Sequence, residues 1–516
     1  MIIVVRTLYI IFIVLSCLLT ARYNLHMLQL NGYKNREHIV WLRKNAKKQI
    51  ILAVAFVAWL AAILLPNIVT AVVNVCLLLE ITGYYYSLRK RKVKKKLVYT
   101  KRMQRLIATD FLLSCICFAI LVACRVWYWH VTALLQPLII LCANLLNKPI
   151  EKKINNSFIR DAKRILEQSK DLIIIGVTGS YGKTSFKNFL QTMLQPKYNV
   201  LITPESYNTP MGVVRTIREQ LRPTHEVFVC EMGARYVGDI KEVCDIVNPA
   251  YGVITSVGPQ HLETFLSIEN VTKTKFELAD AVKEKDGIMF FNGDNQYINE
   301  HSSNYENGIF FSVKEGIGYH AKDINVTHTG TRFTVVTPQG ESAEIDLKLV
   351  GEYNIINVLG AIAVAHYMGV SLNEIKIAAR KIQPVAHRMQ MIPRGNVTII
   401  DDAYNSNPVG SKAAVETLAL FEGVRILITP GMVELGEAED SYNYKFGTYA
   451  AASCDYIFLI GKEHTRPIYS GALDAGFDKS RCLTFDDLET ALKSAYDIGT
   501  DKHKYILLEN DLPDNY

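Results

Sequence analysis

Long apolar runs crowd the first 150 residues of this chain, and shorter ones, separated by glycine turns and charged stretches, fill the rest. Residues 2–20 form an apolar run broken by one arginine, and 50–86 form a longer run with Pro66-Asn67 near its middle. Residues 107–126 and 131–147 make a further pair, separated by Trp127, Tyr128, Trp129 and His130. A helix needs about 20 apolar residues to cross a bilayer, so 50–86 is too long for one straight span. The Pro-Asn pair suggests two short helices joined by a tight turn, and the aromatic cluster suits a membrane–water boundary. The pattern predicts about five spans over residues 1–150. No small-residue cleavage site precedes Arg22, and further apolar runs follow, which argues against a cleaved leader.

The loops between the runs set an orientation. Residues 21–48 carry Arg22, Lys34, Arg36, Arg43, Lys44, Lys47 and Lys48, and residues 89–105 are denser still in Lys and Arg. The turns at Pro66 and at Trp127–His130 carry none. With five spans, every basic loop and the C-terminal bulk fall on one side, which the positive-inside rule makes cytoplasmic. The expected location is therefore the cell membrane, multi-pass, with cytoplasmic catalytic domains. The net charge of +7 has this local source and does not point to nucleic-acid binding. Of ten cysteines, Cys17, Cys76, Cys115, Cys117, Cys124 and Cys142 lie in apolar runs. The others form no CxxC pair, so a disulfide framework or a zinc site is excluded as an organising principle.

Beyond residue 150 the pattern becomes that of an α/β protein. At 516 residues the chain has room for about three domains. The predicted division is a membrane region (1–150) and an α/β remainder, which the family resemblance described below implies is split into a central P-loop ATPase domain (151–385) and a C-terminal Rossmann-like domain (386–516). Residues 172–175, Leu-Ile-Ile-Ile, read as a buried strand. Gly176-Val-Thr-Gly-Ser-Tyr-Gly-Lys-Thr-Ser185 follows, and then a helical stretch from Phe186 to Leu194. Strand, glycine loop and helix are the context a phosphate-binding loop requires. Gly179, Ser180, Gly182, Lys183, Thr184 and Ser185 form the candidate cradle for ATP. Lys183 would meet the β- and γ-phosphates and Thr184 would hold Mg2+. Gly176 stands one residue too far back for the general G-x-x-x-x-G-K spacing.

T-G-x-x-G-K-T after a parallel strand resembles the loop of the Mur ligase family, and so do the segments beyond it. Val200–Gly212, Val229-Cys-Glu-Met-Gly-Ala234 and Thr255-Ser-Val-Gly-Pro-Gln-His-Leu-Glu263 are similar to motifs of its central domain. Gly351-Glu-Tyr-Asn-Ile-Ile-Asn357 resembles its G-x-x-N-x-x-N adenine segment. His387-Arg-Met389, Ile400–Pro408 and Met432-Val-Glu-Leu-Gly436 resemble its C-terminal domain. The resemblance runs over about 170–500 and does not reach residues 1–150.

That likeness implies an ATP-dependent amide ligase of cell-envelope synthesis. Such an enzyme makes a carboxylate into an acyl-phosphate, which an amine then attacks. It implies that Glu231 and His261 help to hold Mg2+, and that Lys275 is carbamylated as a further metal ligand, with Lys273 a nearby rival. It also implies that Arg388 reaches a phosphate and Asp402 the nucleotide. Asn354 and Asn357, three apart on a helix, could read adenine or ribose from one face, with helix capping as the bland alternative. Tyr404, Asn405 and Asn407 follow a strand in a loop suited to substrate contact, or form a structural turn before Pro408.

The expected substrates are a UDP-muramoyl peptide and an amino acid or D-alanyl-D-alanine-like dipeptide. A lipid-linked or polymeric acceptor is the alternative within the enzyme class. A nucleotide-dependent membrane scaffold is the alternative outside it, and the combination of Lys183, Glu231, His261 and Lys275 argues against it. Two departures bear on substrate. The family's small N-terminal domain is replaced by apolar runs. The strand that carries K-G-S-R in the dipeptide-adding branch here reads Tyr505–Pro513, with Glu509-Asn510-Asp511 where the family is basic, and Gly431 stands where the family usually has Asp.

Overall fold

The computed structural model describes residues 2–45, 76, 79–88, 95–123 and 131–511, apart from 206, 352 and 405. The chain divides into two compact units, Met1–Ser157 and Phe158–Leu512.

The first unit is helical, with helices at Ile2–Leu30, Asn35–Lys44, Lys101–Ala123, Val131–Leu134 and Gln136–Gln168, the last continuing past the boundary. The most apolar 18-residue stretch of helix Lys101–Ala123 has a mean hydropathy of 2.4, and the helix exposes Phe111, Leu112, Ile116 and Ile120. Among the described residues it is the one helix long and apolar enough to cross a membrane. The described residues thus do not show the multi-span region expected from the sequence. The run 131–147 is split between two helices, and the second turns charged from Lys148. The helix pair expected across 50–86, with its Pro66-Asn67 turn, lies almost wholly outside the described residues. So do the cluster Trp127–His130 and parts of both basic loops. Inside this unit the helices meet through polar groups. Gln136 Nε2 donates to Asp110 Oδ1 at 2.7 Å, and Arg105 forks onto Glu151 with bonds of 2.7 and 2.9 Å.

The second unit contains two sheets. The larger has nine strands in the order β2-β3-β1-β4-β5-β6-β7-β8-β9. Its strands are β1 (Ile173–Thr178), β2 (Val200–Ile202), β3 (Val227–Glu231), β4 (Tyr251–Ile254), β5 (Ile288–Asn292), β6 (Gly308–Ser312), β7 (Tyr319–Thr327), β8 (Gly330–Val336) and β9 (Ser342–Leu347). Pairing is parallel from β2 through β7 and antiparallel from β7 through β9. Parallel strands covered on both faces read as unbroken apolar runs, and β1 and β3 do so, with β3 buried throughout. Helices Lys183–Leu194 and Tyr353–Tyr367 cover one face, and helix Ile268–Lys283 covers the other. β1 lies between β3 and β4, where the strand order reverses. Ligands of open α/β sheets gather at such a switch point, beyond the carboxyl ends of the strands.

The smaller sheet orders β10-β11-β15-β12-β13-β14. Its strands are β10 (Gln390–Arg394), β11 (Val397–Asp402), β12 (Val424–Thr429), β13 (Tyr456–Ile460), β14 (Cys482–Phe485) and β15 (Lys504–Glu509). Only β10, at the edge, is antiparallel. The last strand of the chain is therefore central, which places Glu509 beside Asp402 at the carboxyl ends of paired strands. Val350 and Tyr353 of the larger sheet's domain pack into the core of the smaller one, around Met389, Ile400 and Val415.

Candidate active site

The glycine loop leaves β1 and enters helix Lys183–Leu194 at the switch point. Gly182 has φ +84, and a Cβ there would fall 2.4 Å from Asn357 Oδ1, so no other residue fits. A Cβ on Gly179 would fall 2.1 Å from Thr255 Oγ1. The loop is bound to the end of β4: Ser180 N donates to the Ser256 carbonyl at 2.9 Å, and Tyr181 N to Ser256 Oγ at 2.8 Å. Lys183 folds over the loop and donates to the carbonyls of Gly179 (2.5 Å) and Ser180 (3.2 Å). Burial pulls its ammonium down to about 8, with Arg388 and Lys187 adding to the effect and Glu231 opposing it. Ser185 is buried under the loop in the first helical turn.

Glu231 ends β3 and is buried with two polar partners on one oxygen. Thr184 Oγ1 donates to Oε1 at 3.2 Å and Asn208 Nδ2 at 3.0 Å. The other oxygen, Oε2, lies 2.7 Å from Lys187 Nζ, and both side chains are only 1% exposed. Burial pushes the Glu231 carboxyl up, but Lys187 and Lys183 more than offset it and hold the group below its usual range. Lys187 was not singled out from the sequence. Thr184 and Glu231 put two oxygen donors side by side against the phosphate loop. That chemistry fits Mg2+, which takes a few protein oxygens and completes its shell with phosphates and water. Among the described residues no group of three or more His, Cys, Asp and Glu side chains forms a cage of its own.

His261 sits in a loop with φ +51 and pairs through Nδ1 with Glu434 of the smaller sheet's domain. Glu434 also meets Arg235 at 3.1 Å. Burial works to raise the Glu434 carboxyl, and the His261 and Arg235 partners outweigh it, so the group is held well below its usual range. This pairing leaves Nε2 as the ring atom of His261 able to meet a ligand. Glu434 lies in a motif noted in the sequence, yet nothing in the sequence marked it as a partner of His261. Lys275 is buried on helix Ile268–Lys283, 5.9 Å over the Phe265 ring, whereas Lys273 is exposed. Burial, reinforced by Lys183, pushes the Lys275 amine well below its ordinary value.

From the smaller domain, Arg388 lies between His387 and Met389, both with positive φ (59° and 49°). Its guanidinium stacks on the Tyr404 ring at 4.3 Å. Asp402 accepts from Met389 N at 3.2 Å, and burial raises it to about 6 against the pull of Arg388. Beside it Glu509 is fully buried, accepting from Ser406 Oγ and, at 2.8 Å, from Thr429 Oγ1. Burial lifts Glu509 to about 7, with Asp402 adding to the effect. Gly431 has φ +83, which only glycine adopts at little cost, and its carbonyl accepts from Asn510 Nδ2 at 2.6 Å.

Of the four asparagines expected near nucleotide or substrate, three are described. Asn407 caps helix Pro408–Leu418, its Oδ1 accepting from the Val409 and Gly410 amides, so its side chain is occupied by structure. Asn354 and Asn357 share a helix, as expected. They lie inside helix Tyr353–Tyr367, and each donates four residues back, to Val350 O (2.9 Å) and Tyr353 O (3.2 Å). Asn357 still places its Oδ1 against Gly182 of the phosphate loop. Asn405 lies outside the described residues.

Lysines gathered around one carboxylate at a glycine loop, faced by an arginine from a second Rossmann-like domain, define a two-domain ATP-using transferase or ligase site. Comparison with known proteins narrows this. Residues 177–365 match the Mur ligase middle domain and residues 387–509 the Mur ligase glutamate ligase domain. The UDP-N-acetylmuramoyl-tripeptide–D-alanyl-D-alanine ligase of Escherichia coli (strain K12) is 30% identical over 355 residues, 66% of this chain and 78% of that protein. The ligase of that name from Bacillus subtilis is 28% identical, over 62% of this chain and 69% of that protein. The structure superimposes on MurF ligase from Thermotoga maritima in complex with ADP with a TM-score of 0.62 at 25% identity, covering 69% of this chain and 80% of that one. The chain belongs to the Mur ligase family and is an ATP-dependent ligase.

Proposed function

We propose that this enzyme joins a D-alanyl-D-alanine-like dipeptide to the free carboxylate of a UDP-muramoyl tripeptide, through an acyl-phosphate, in peptidoglycan synthesis. The observation that carries the reading is the Thr184–Glu231 pair beside Lys183 in the phosphate loop, with Arg388 of the other domain near enough to act on both Lys183 and Asp402. ATP binds with its phosphates over the Gly179–Lys183 loop, and Lys183 exchanges its loop carbonyls for phosphate oxygens. The substrate carboxylate attacks the γ-phosphorus, the bond to ADP breaks, and an acyl-phosphate results. The amine then attacks the acyl carbon and phosphate leaves. Lys183 and Arg388 offset the charge that develops in both steps. Thr184 and Glu231 would hold Mg2+, with His261 Nε2 as a further donor, and the ion would supply further charge neutralisation. Burial pushes the Lys275 amine toward its neutral form, the one that can take up CO2, which suits the carbamate role implied by the family.

The test is direct. Purified protein, ATP, UDP-muramoyl tripeptide and D-alanyl-D-alanine should give one ligated product by mass, with one phosphate released per bond. Phosphate release without a mass gain would refute it.

A second reading concerns where the acceptor sits. The exposed apolar side chains of helix Lys101–Ala123 and the basic stretches of sequence 21–48 and 89–105, the first of which is helical over 21–30 and 35–44, favour a membrane location with the catalytic domains on the cytoplasmic side. An enzyme so placed would meet a lipid-linked acceptor at high local concentration. Competition between soluble and lipid-linked acceptors in detergent separates the two, because a preference for the soluble one rejects the lipid-linked reading.

A further inference from the structure

Lys187 is not one of the residues assigned to the phosphates, yet it is as enclosed as Glu231, each only 1% exposed. It lies one turn beyond Lys183, on the face of helix Lys183–Leu194 that also buries Phe186, Phe189 and Leu190. A buried ion pair is often no more stabilising than apolar side chains of the same volume. Packing alone therefore gives no reason for a lysine here.

Its connections do. Nζ lies 2.7 Å from Glu231 Oε2 and donates to the carbonyl of Glu205 at 2.5 Å. Glu205 sits in the loop after β2 with φ +38, in the left-handed region unusual for a side-chain-bearing residue. Three residues on, Asn208 returns to the same carboxylate, donating to Oε1 at 3.0 Å, while its carbonyl accepts from Gly233 N at 2.8 Å. Glu231 is thus held from both ends by one loop, with Lys187 as the bridge. Oε2 is taken up inside, and Oε1 is turned to Thr184.

We propose that Lys187 is a positioning residue. It presents Glu231 to the metal through a single oxygen, and it makes the order of the 203–208 loop and the aim of that carboxylate one event. Without the ammonium, Glu231 can rotate and the Glu205 carbonyl loses its donor. The proposal rests on the reading of Glu231 as a metal ligand.

The test uses the full chain in detergent and Lys187→Met, which keeps the length of the side chain and removes its charge. In metal-free, nucleotide-free protein, hydrogen exchange of peptides covering 203–208 should quicken about tenfold, reporting local opening. Lys183→Met should leave that exchange unchanged. With ADP present, Mn2+ half-saturation followed by electron paramagnetic resonance should rise by roughly 10–100-fold, as for loss of an outer-shell partner. If Lys187→Met does not fold, Lys187→Met/Glu231→Gln, which buries no unpaired charge, carries the exchange measurement. Unchanged exchange at 203–208, or unchanged Mn2+ binding in Lys187→Met, overturns the proposal. Glu231→Gln alone tests the reading beneath it. Intact Mn2+ binding there removes Glu231 from the metal site, and the exchange result still decides whether Lys187 orders the loop.

Discussion

The two halves of the active site bury opposite charges. The larger domain encloses Lys183 and Lys187 around the Glu231 carboxylate, with buried Lys275 beyond it, within reach of the Lys183 charge. The smaller domain encloses Asp402 and Glu509 near a single arginine, Arg388. Each arrangement is costly without a partner of opposite sign. The lysine side is built for a polyanion, the triphosphate and then the acyl-phosphate. The carboxylate side suits the approach of an amine. The site is therefore an electrostatic complement split between domains, completed when substrates lie between them.

Breaking the lysine side should have the largest effect. Lys183→Ala should lower ATP-dependent phosphate release by about 10³-fold with an unchanged thermal midpoint, measured in a coupled phosphate assay. Removing the lone cation of the other side comes next. Arg388→Ala should reduce turnover by about 10²-fold, and Arg388→Lys should recover little, because stacking on Tyr404 needs the planar guanidinium.

The titrations sharpen the contrast. With Lys183 at about 8 in the folded enzyme, ADP affinity should be flat below pH 7 and fall above about pH 8, up to tenfold per unit. Calorimetric titrations across pH 6.5–9.5 read this directly, and Lys183→Arg should abolish the slope. Glu509 behaves oppositely in stability. Its folded value of about 7 lies above the ordinary 4.5, so the unfolded chain gives up the proton first as pH rises. The stability it contributes at pH 4 should be lost as pH climbs through about 7, by up to about 3 kcal/mol. Glu509→Gln should flatten that part of the unfolding profile. The smallest effect belongs to a residue that serves neither half. Asn407→Ala should cost about 1 kcal/mol as a lost helix cap, with both substrate KM values unchanged.

What could be read from the sequence follows from how local each signal is. The phosphate loop announces itself because strand, glycines, lysine and helix are contiguous. Glu231 was legible as the end of an apolar strand. Lys187 was not, because a lysine in an amphipathic helix looks like a surface residue until β3 and the β2 loop close over it. Glu434 was likewise hidden, since its meaning depends on His261 in another domain. Lys275 and Lys273 were hard to separate by spacing, and burial separates them. Asn407 was read as a substrate contact or a turn, and the amides of Val409 and Gly410 decide for the turn. The helical N-terminal unit was the least well read. Apolar runs count residues, whereas the structure splits 131–147 and carries its remainder into a charged helix.

The two domains touch in chemically different ways at two places. At Val350 and Tyr353 the contact is apolar and sunk into the smaller domain's core. At His261, Arg235 and Glu434 it is carried by charge, with one backbone bond from Glu263 N to Glu434 O at 3.3 Å. The charged contact is close and mostly enclosed, well inside the Debye length of about 8 Å, so added salt screens it little. The condition that weakens this contact is therefore acid, which neutralises Glu434 as pH falls, while the apolar contact is indifferent to it.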